Sequence, residues 1–439
     1  MSTAAQPAFR SAQFYCPKCD APITYYDLDN SAYYACPDCR TYFQNQHTRP
    51  PKLFGEYAKG PDFVPQLLSL GATGTLPDGL TYRVIGYSAR HEAKSAVYKW
   101  GEYLLFSPPA SYAQLAVFEG HWLLIKPTEQ PNNVLKANTV NAHVMDAGVR
   151  FDIYNRYSPR VPYAVGEFDW DLRADEKLDV AEFIAPPLML IQEYSQSTKT
   201  TEWYRGEHLE PAQVAAAFGL DTEALPTREG VGAVQPAPGE SYWRPLLNFT
   251  LFMALLVVAA QLFVGLMRPS QQLLADSYRT QHESTGTPAE QGAVIITPSF
   301  TVSGPAALEV SLSGDVDNNW MELPVALVNE GQGPSFEFTK ALEYYHGYED
   351  GGSWSEGSPS DEAMLSRVPS GRYHLNIYPI SERGLSHLVS VRVTQNPALV
   401  SNTLLLVTLL FAYPVALYVW RYFHEQQRWQ NSDYGPSNE

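Results

Sequence analysis

The four cysteines of the chain fall in two pairs of one form, Cys16-Pro-Lys-Cys19 and Cys36-Pro-Asp-Cys39. Each pair turns two thiols toward one point, and the 16 residues between the pairs suit a hairpin that brings them together. Four thiolates close a tetrahedral site, and structural zinc is the ion that such a set most often holds. Metal binding then supplies folding free energy to a piece too small for a large core of its own. Tyr25, Tyr26, Tyr33, Tyr34, Tyr42 and Phe43 provide aromatic cover. Iron in a four-thiolate site and two separate redox CxxC motifs use the same residues. The near-identical form and close spacing favour one shared ion. The expectation is a zinc-ribbon-like knuckle over 12–45, with Cys16, Cys19, Cys36 and Cys39 as ligands.

A second set of residues suggests different chemistry. Glu102, Glu167, Asp171, Glu182, Glu193, Glu202 and Glu207 interleave with Trp100, Trp122, Trp170 and Trp203. Carboxylates beside aromatic rings are how carbohydrate hydrolases hold an acid and a base. A plainer reading is that Glu before an aromatic residue in a strand puts the carboxylate on the wet face and the ring in the core. His91, His121 and His143 show no metal spacing, and neither a Ser-centred elbow nor a phosphate-binding loop is present. The chain is therefore expected not to be an enzyme. A membrane-bound hydrolytic enzyme built around Glu102, Glu193 and Trp203 stands as the alternative.

Two apolar runs must position these residues. Leu246–Met267 carries no charged side chain and is long enough, at about 1.5 Å per residue, to cross a hydrocarbon layer of about 30 Å. Ala398–Trp420 is the second run, with Pro414 inside it and Arg421 and Tyr422 just beyond. Proline there is expected to bend the helix. The segment 268–397 carries 7 Lys/Arg against 16 Asp/Glu and is long enough to translocate as a domain. Arg244, Arg421 and Arg428 favour the cytosol for the outer ends, while Arg268 and Arg279 argue the other way. The start of the chain has no apolar core of secretory type, and paired cysteines suit a reducing compartment. Expected are cytoplasmic termini, an extracytoplasmic 268–397 and two spans, at 246–267 and 398–420.

From Gly79 onward, short aromatic and β-branched runs punctuated by Gly, Pro and Ser indicate antiparallel sheet, in a curved or barrel-like form. Five motifs carry a family resemblance: YRVIGY at Tyr82–Tyr87, WGEYLLF at Trp100–Phe106, VFEGHWLLI at Val117–Ile125, VGEFDWDLRADEKLDVAEFIAPPLMLIQEYS at Val165–Ser195, and TEWYRGEHL at Thr201–Leu209. In order and spacing they resemble the bacterial domain family DUF4178, over residues 78–220. The resemblance implies a bacterial inner-membrane protein and brings no catalytic assignment. Residues 221–245, rich in Gly and Pro, read as a linker. Alternation resumes over 292–396, where six strand candidates suggest a β-sandwich. The run 346–360 reads as a solvated loop in which Glu349, Asp350, Glu356 and Trp354 are conspicuous. Residues 421–439 form a tail.

The net charge of −17 disfavours nucleic acid as a partner. The expected class is a multidomain membrane protein: zinc ribbon, mainly-β DUF4178-like domain, and two transmembrane helices flanking an extracytoplasmic sandwich. Its expected role is a non-enzymatic scaffold or sensor linking the two sides of a membrane. Its partners would be the lipid bilayer, other proteins and further copies of itself. A channel made of two spans needs oligomers and polar lining residues, which are scarce here.

Overall fold

The computed structural model describes residues 9–45, 49–59, 65–108, 111–128, 134–136, 139–281, 290–331, 333–349, 351–382, 385–398 and 400–435. The chain is mostly β and divides into two compact units, Met1–Trp243 with Val415–Glu439, and Arg244–Pro414.

In the first unit a 15-stranded antiparallel sheet dominates. Its central order is Val149–Tyr157, Leu178–Ala185, Leu188–Ser195, Thr201–Leu209, His121–Pro127, Ser111–Phe118, Lys99–Ser107, Thr81–Glu92 and Pro159–Phe168. Val149–Tyr157 leads through Ser158 straight into Pro159–Phe168, yet these strands lie at opposite ends of that order. A single connecting residue cannot span a flat sheet of this width, since neighbouring strands sit about 4.8 Å apart. The sheet therefore curls, and the rings of Trp100 and Tyr157 meet across it at 5.4 Å.

Strand parity sorts the side chains between the two faces. Tyr82, Val84, Tyr87, Tyr103, Leu105, Leu115 and Trp122 gather in one core under the helix Pro211–Phe218. That helix starts on a capping box between Glu210 and Gln213, with Pro211 in its first turn, and stops at Gly219, which takes a left-handed φ of 67°.

The cysteine knuckle is sewn into this sheet. Its second hairpin, Tyr33–Ala35 with Thr41–Gln44, pairs with Pro159–Phe168 through Gly166↔Ala35, Glu167↔Tyr34 and Phe168↔Tyr33. Residues 221–245, read above as a linker, are packed rather than loose. Val231 and Val234 are buried, and Glu229 N–H donates to the Glu119 carbonyl at 2.9 Å. Composition misleads there because Gly and Pro shape turns as readily as tethers.

What holds that segment is Arg428, whose side chain is 0% exposed. Its guanidinium donates to the carbonyls of Gly232, Ala233 and Gln235 at 2.9, 2.8 and 2.7 Å, and Nε donates to Glu425 at 2.9 Å. The tail continues the attachment: Tyr154 Oη donates to the Arg428 carbonyl at 2.8 Å, and the Trp429 ring lies 5.6 Å from that of Tyr154.

The second unit contains a four-stranded sheet, ordered Gln271–Arg279, Leu388–Gln395, Ala306–Gly314 and Ser360–Val368. An eight-stranded sheet is built around Asn319–Asn329, Phe336–Glu349, Gly352–Ser358 and Gly371–Ile377. Leu308, Val310, Leu312, Val391 and Val393 from the first sheet share one core with Leu323, Val325, Leu327, Leu375 and Ile377 from the second. Across 346–360 the strands Phe336–Glu349 and Gly352–Ser358 pair as an exposed hairpin, a ribbon more regular than an open loop. Glu343↔Ser358 through Glu349↔Gly352 form a ribbon, because alternate residues pair across it whatever their polarity. Asp350 lies outside the described residues.

Two helices, Trp243–Met267 and Val400–Arg428, are long and apolar enough to cross a membrane. Phe252, Leu255, Leu262, Leu404 and Leu409 are exposed on them, as side chains meeting lipid would be. The second helix is continuous through Pro414.

Arg428→Ala removes a donor set from three buried carbonyls and is expected to cost about 2–4 kcal/mol of local stability. Hydrogen exchange should show faster exchange at residues 429–434 and 231–235. Glu425→Ala, which removes only the half-exposed partner, should change little there.

Candidate functional site

Two places concentrate chemically capable side chains. The first is the knuckle. Each CPxC turn closes in the same way: Cys16 N–H donates to the Ala21 carbonyl at 2.8 Å and Cys36 N–H to the Thr41 carbonyl at 3.0 Å. The residues after the second cysteines, Asp20 and Arg40, take left-handed φ values of 58° and 63°. Repeated geometry faces the two turns toward each other. Cys16 Sγ lies 3.6 Å from Cys39 Sγ, Cys19 Sγ lies 3.8 Å from Cys36 Sγ, and all four sulfurs fall within 4.8 Å of one another.

A tetrahedral ion with metal–sulfur bonds of about 2.3 Å needs sulfurs about 3.8 Å apart. The four residues fit, and the sulfurs lie close enough to hold one ion jointly. Burial pushes the Cys36 thiol up to about 12, so a cation is what would let this sulfur serve as a thiolate. Phe14, Tyr25, Tyr34 and Phe43 wall the cluster, with Phe14 and Tyr34 ring centroids at 4.8 Å.

Glu167 fastens the knuckle from the sheet side. Its carboxylate accepts from the backbone N–H of Tyr26 at 2.6 Å and of Asp27 at 3.4 Å. Burial nevertheless raises it to about 7. Tyr42 Oη completes the join, donating to Asp171 at 3.1 Å and accepting from Leu172 N–H at 2.9 Å.

The second place is a cavity of about 480 Å³ inside the curled sheet. Arg90, from strand Thr81–Glu92, lies at its wall with its side chain 7% exposed. The guanidinium meets Glu102 at 2.8 Å and Asp175 at 3.0 Å, and Nε donates to Ser88 Oγ at 3.0 Å. Asp175 also accepts from Trp170 Nε1 at 2.9 Å. Burial lifts Asp175 to about 6 despite Arg90, and lifts Glu182 to about 7 despite the Tyr157 hydroxyl at 2.9 Å. Glu193 rises further, to about 8, through burial first and then through the like charges of Asp175 and Glu102.

The sequence pattern named Glu102, Glu182 and Glu193 but placed them on a wet face. Parity is as expected, since Tyr103 and Phe183 are buried on the opposite face. The curl encloses the face that a flat sheet would leave in solvent. Trp203 does not join them. It packs against Phe183 with centroids at 6.1 Å, in a core with Ala142 and Leu190. The sequence reading missed Arg90 and Asp175. The signal for Arg90 was its parity with Ser88 in a strand otherwise rich in core residues.

The described residues thus define a mostly β chain that carries two apolar helices and a four-cysteine cluster able to hold a metal ion. Residues 69–211 match a family described as a domain of unknown function, DUF4178, so a DUF4178-like domain forms most of the large sheet. No curated protein matches the chain. Among solved structures, the VP2 subviral particle of infectious bursal disease virus is similar at 15% identity, over 29% of this chain and 32% of that one, with a TM-score of 0.18. The structure of the Gx strain of the same virus is similar at 10% identity, over 89% and 72%, with a TM-score of 0.19. A structure of carbohydrate-binding modules from the β-sandwich superfamily is similar at 6% identity, over 60% and 97%, with a TM-score of 0.14. At these TM-scores the likenesses carry no weight for fold or function.

Glu193→Gln tests the buried acid. A carboxyl whose folded value, about 8, lies above its unfolded value of about 4.3 contributes stability at low pH and loses it as pH rises through that window. The amide mimics the neutral acid and escapes that loss. Thermal unfolding should show the variant gaining on wild type as pH rises from 5 to 8.5, by up to about 4 kcal/mol at the upper end. A gap that stays constant with pH would show that the carboxyl is not held neutral.

Proposed function

We propose that this chain is a membrane-anchored scaffold or sensor of a bacterial inner membrane, linking a cytoplasmic domain to an extracytoplasmic β-sandwich. One observation carries it. The chain leaves the first unit at Trp243, on an apolar helix, and returns to the same unit at Val415, on a second apolar helix. With both helices in a bilayer, the knuckle, the DUF4178-like domain and the Arg428 tail lie on one side and 268–397 on the other. The exposed apolar surface of the helices supports a lipid environment, which would cover side chains that water would not. The knuckle holds zinc, which suits four thiolates at these separations. Its role is structural, since four protein ligands leave no open position for substrate.

A hydrolytic enzyme is the second reading, favoured by the raised Glu193 and Asp175 in an enclosed site. It is the weaker of the two: Glu102 and Asp175 are already engaged by Arg90, and Trp203 faces elsewhere.

Metal analysis of the purified protein should give one zinc per chain, falling below about a tenth in Cys19→Ser. Cobalt substitution should give the visible spectrum of a tetrahedral thiolate site, and its absence would argue against a shared ion. For the linkage, crosslinking in intact cells from each face should capture a reproducible partner on both sides. Cys16→Ser/Cys19→Ser should lose the cytoplasmic partner at matched expression. Absence of any partner on either face would overturn the scaffold reading.

A further inference from the structure

The cavity within the curled sheet is lined by a carboxyl, Glu193, that its described neighbours do not satisfy. Arg90 is engaged by Glu102, Asp175 and Ser88. Glu202 accepts from Tyr204 Oη at 2.8 Å, and Trp170 donates to Asp175. Glu193 lines the same wall, and among the described residues no hydrogen bond or ion pair reaches its carboxyl. The carboxyl is half-buried and opens to the cavity, so it is free to meet a ligand there.

The wall is also unbalanced. Asp169, Asp175, Glu193 and Glu202 line it, Arg90 is the one cationic side chain among the described lining residues, and Trp170, Tyr112 and Tyr204 add aromatic surface. A ligand that supplied a positive charge with N–H donors would meet Glu193 directly and lay its apolar part on these rings. An anion would meet repulsion, because the one guanidinium is already shared by two carboxylates. The volume of about 480 Å³ lies within the range of small-molecule sites.

We propose that this cavity binds a small organic ammonium ion, with Glu193 as its carboxylate partner and Trp170 and Tyr204 as its aromatic walls. The site is independent of the two-sided linkage proposed above. Binding of the cation requires Glu193 ionised. The groups that set its charge are Arg90, Glu102 and Asp175, with Glu202 and Tyr204 on the neighbouring strand and Tyr157 and Glu182 beyond it. Glu193 holds its proton higher, at about 8, than Asp175 or Glu182. Occupation at neutral pH therefore expels that proton.

The test uses the full chain in lipid nanodiscs with benzylammonium chloride as probe, beside benzyl alcohol and benzoate of similar size. Calorimetry should show saturable binding of the cation, at least tenfold stronger than of either control. Affinity should rise roughly tenfold between pH 6.5 and 8, the gain expected when ligand and proton compete for one site. Heats measured at pH 7 in buffers of different ionisation enthalpy should report close to one proton released per cation, on wild-type protein alone. Glu193→Gln should lose at least tenfold in affinity and its pH dependence, Glu193→Asp should keep the pH dependence, and Glu207→Gln, exposed on the same sheet, should bind as wild type. Benzoate or benzyl alcohol binding as well as the cation would overturn the proposal. So would no proton release, unchanged binding by Glu193→Gln, or no binding of the cation.

Discussion

A buried guanidinium organises the large sheet. Arg90 sits where strands from distant places in the sheet order converge, and it holds Glu102 from a neighbouring strand and Asp175 from the turn Leu172–Lys177. Taking such charges out of water is unfavourable unless each meets a partner, and removal of one partner costs about 3–5 kcal/mol. The curl of the sheet and the pairing of these charges therefore depend on each other. Without the curl, Arg90 would be one more exposed basic side chain. Without Arg90, the concave face would gather carboxylates that nothing offsets.

The same principle recurs at the two attachments of this unit. Glu167 accepts backbone N–H groups of the knuckle, and Arg428 donates to backbone carbonyls of the segment 232–235. Each is a buried ionisable group that satisfies the main chain of a segment with little regular structure of its own. The cysteine knuckle and the C-terminal tail, at opposite ends of the sequence, are thereby built onto one sheet. The strand that carries Glu167 pairs with the strand that carries Arg90, so the knuckle's attachment and the cavity wall share one stretch of sheet.

Legibility in the sequence followed the range of the interactions. The cysteines were readable because their geometry is local: four residues per turn and two turns of one form. The apolar helices were readable because length and polarity are properties of one continuous stretch. Strand parity was readable as well, and Glu102 and Glu193 fell on the face that alternation assigns them. What that face meets was not readable. The segments 221–245 and 346–360 show the same limit, since Gly-, Pro- and Ser-rich composition describes turns and exposed ribbons as well as free chain.

The sequence by itself determined the four-thiolate set, the two apolar helices, the mostly β character and the side of each strand on which a carboxylate stands. These rest on contacts within a few residues or on the demands of one solvent. Only the tertiary structure decided that the carboxylate face is enclosed, that Arg90 and Asp175 belong to it while Trp203 does not, and that Arg428 fixes the tail. The physical reason is that closure brings together strands far apart in sequence, and no local pattern records the curvature of a sheet.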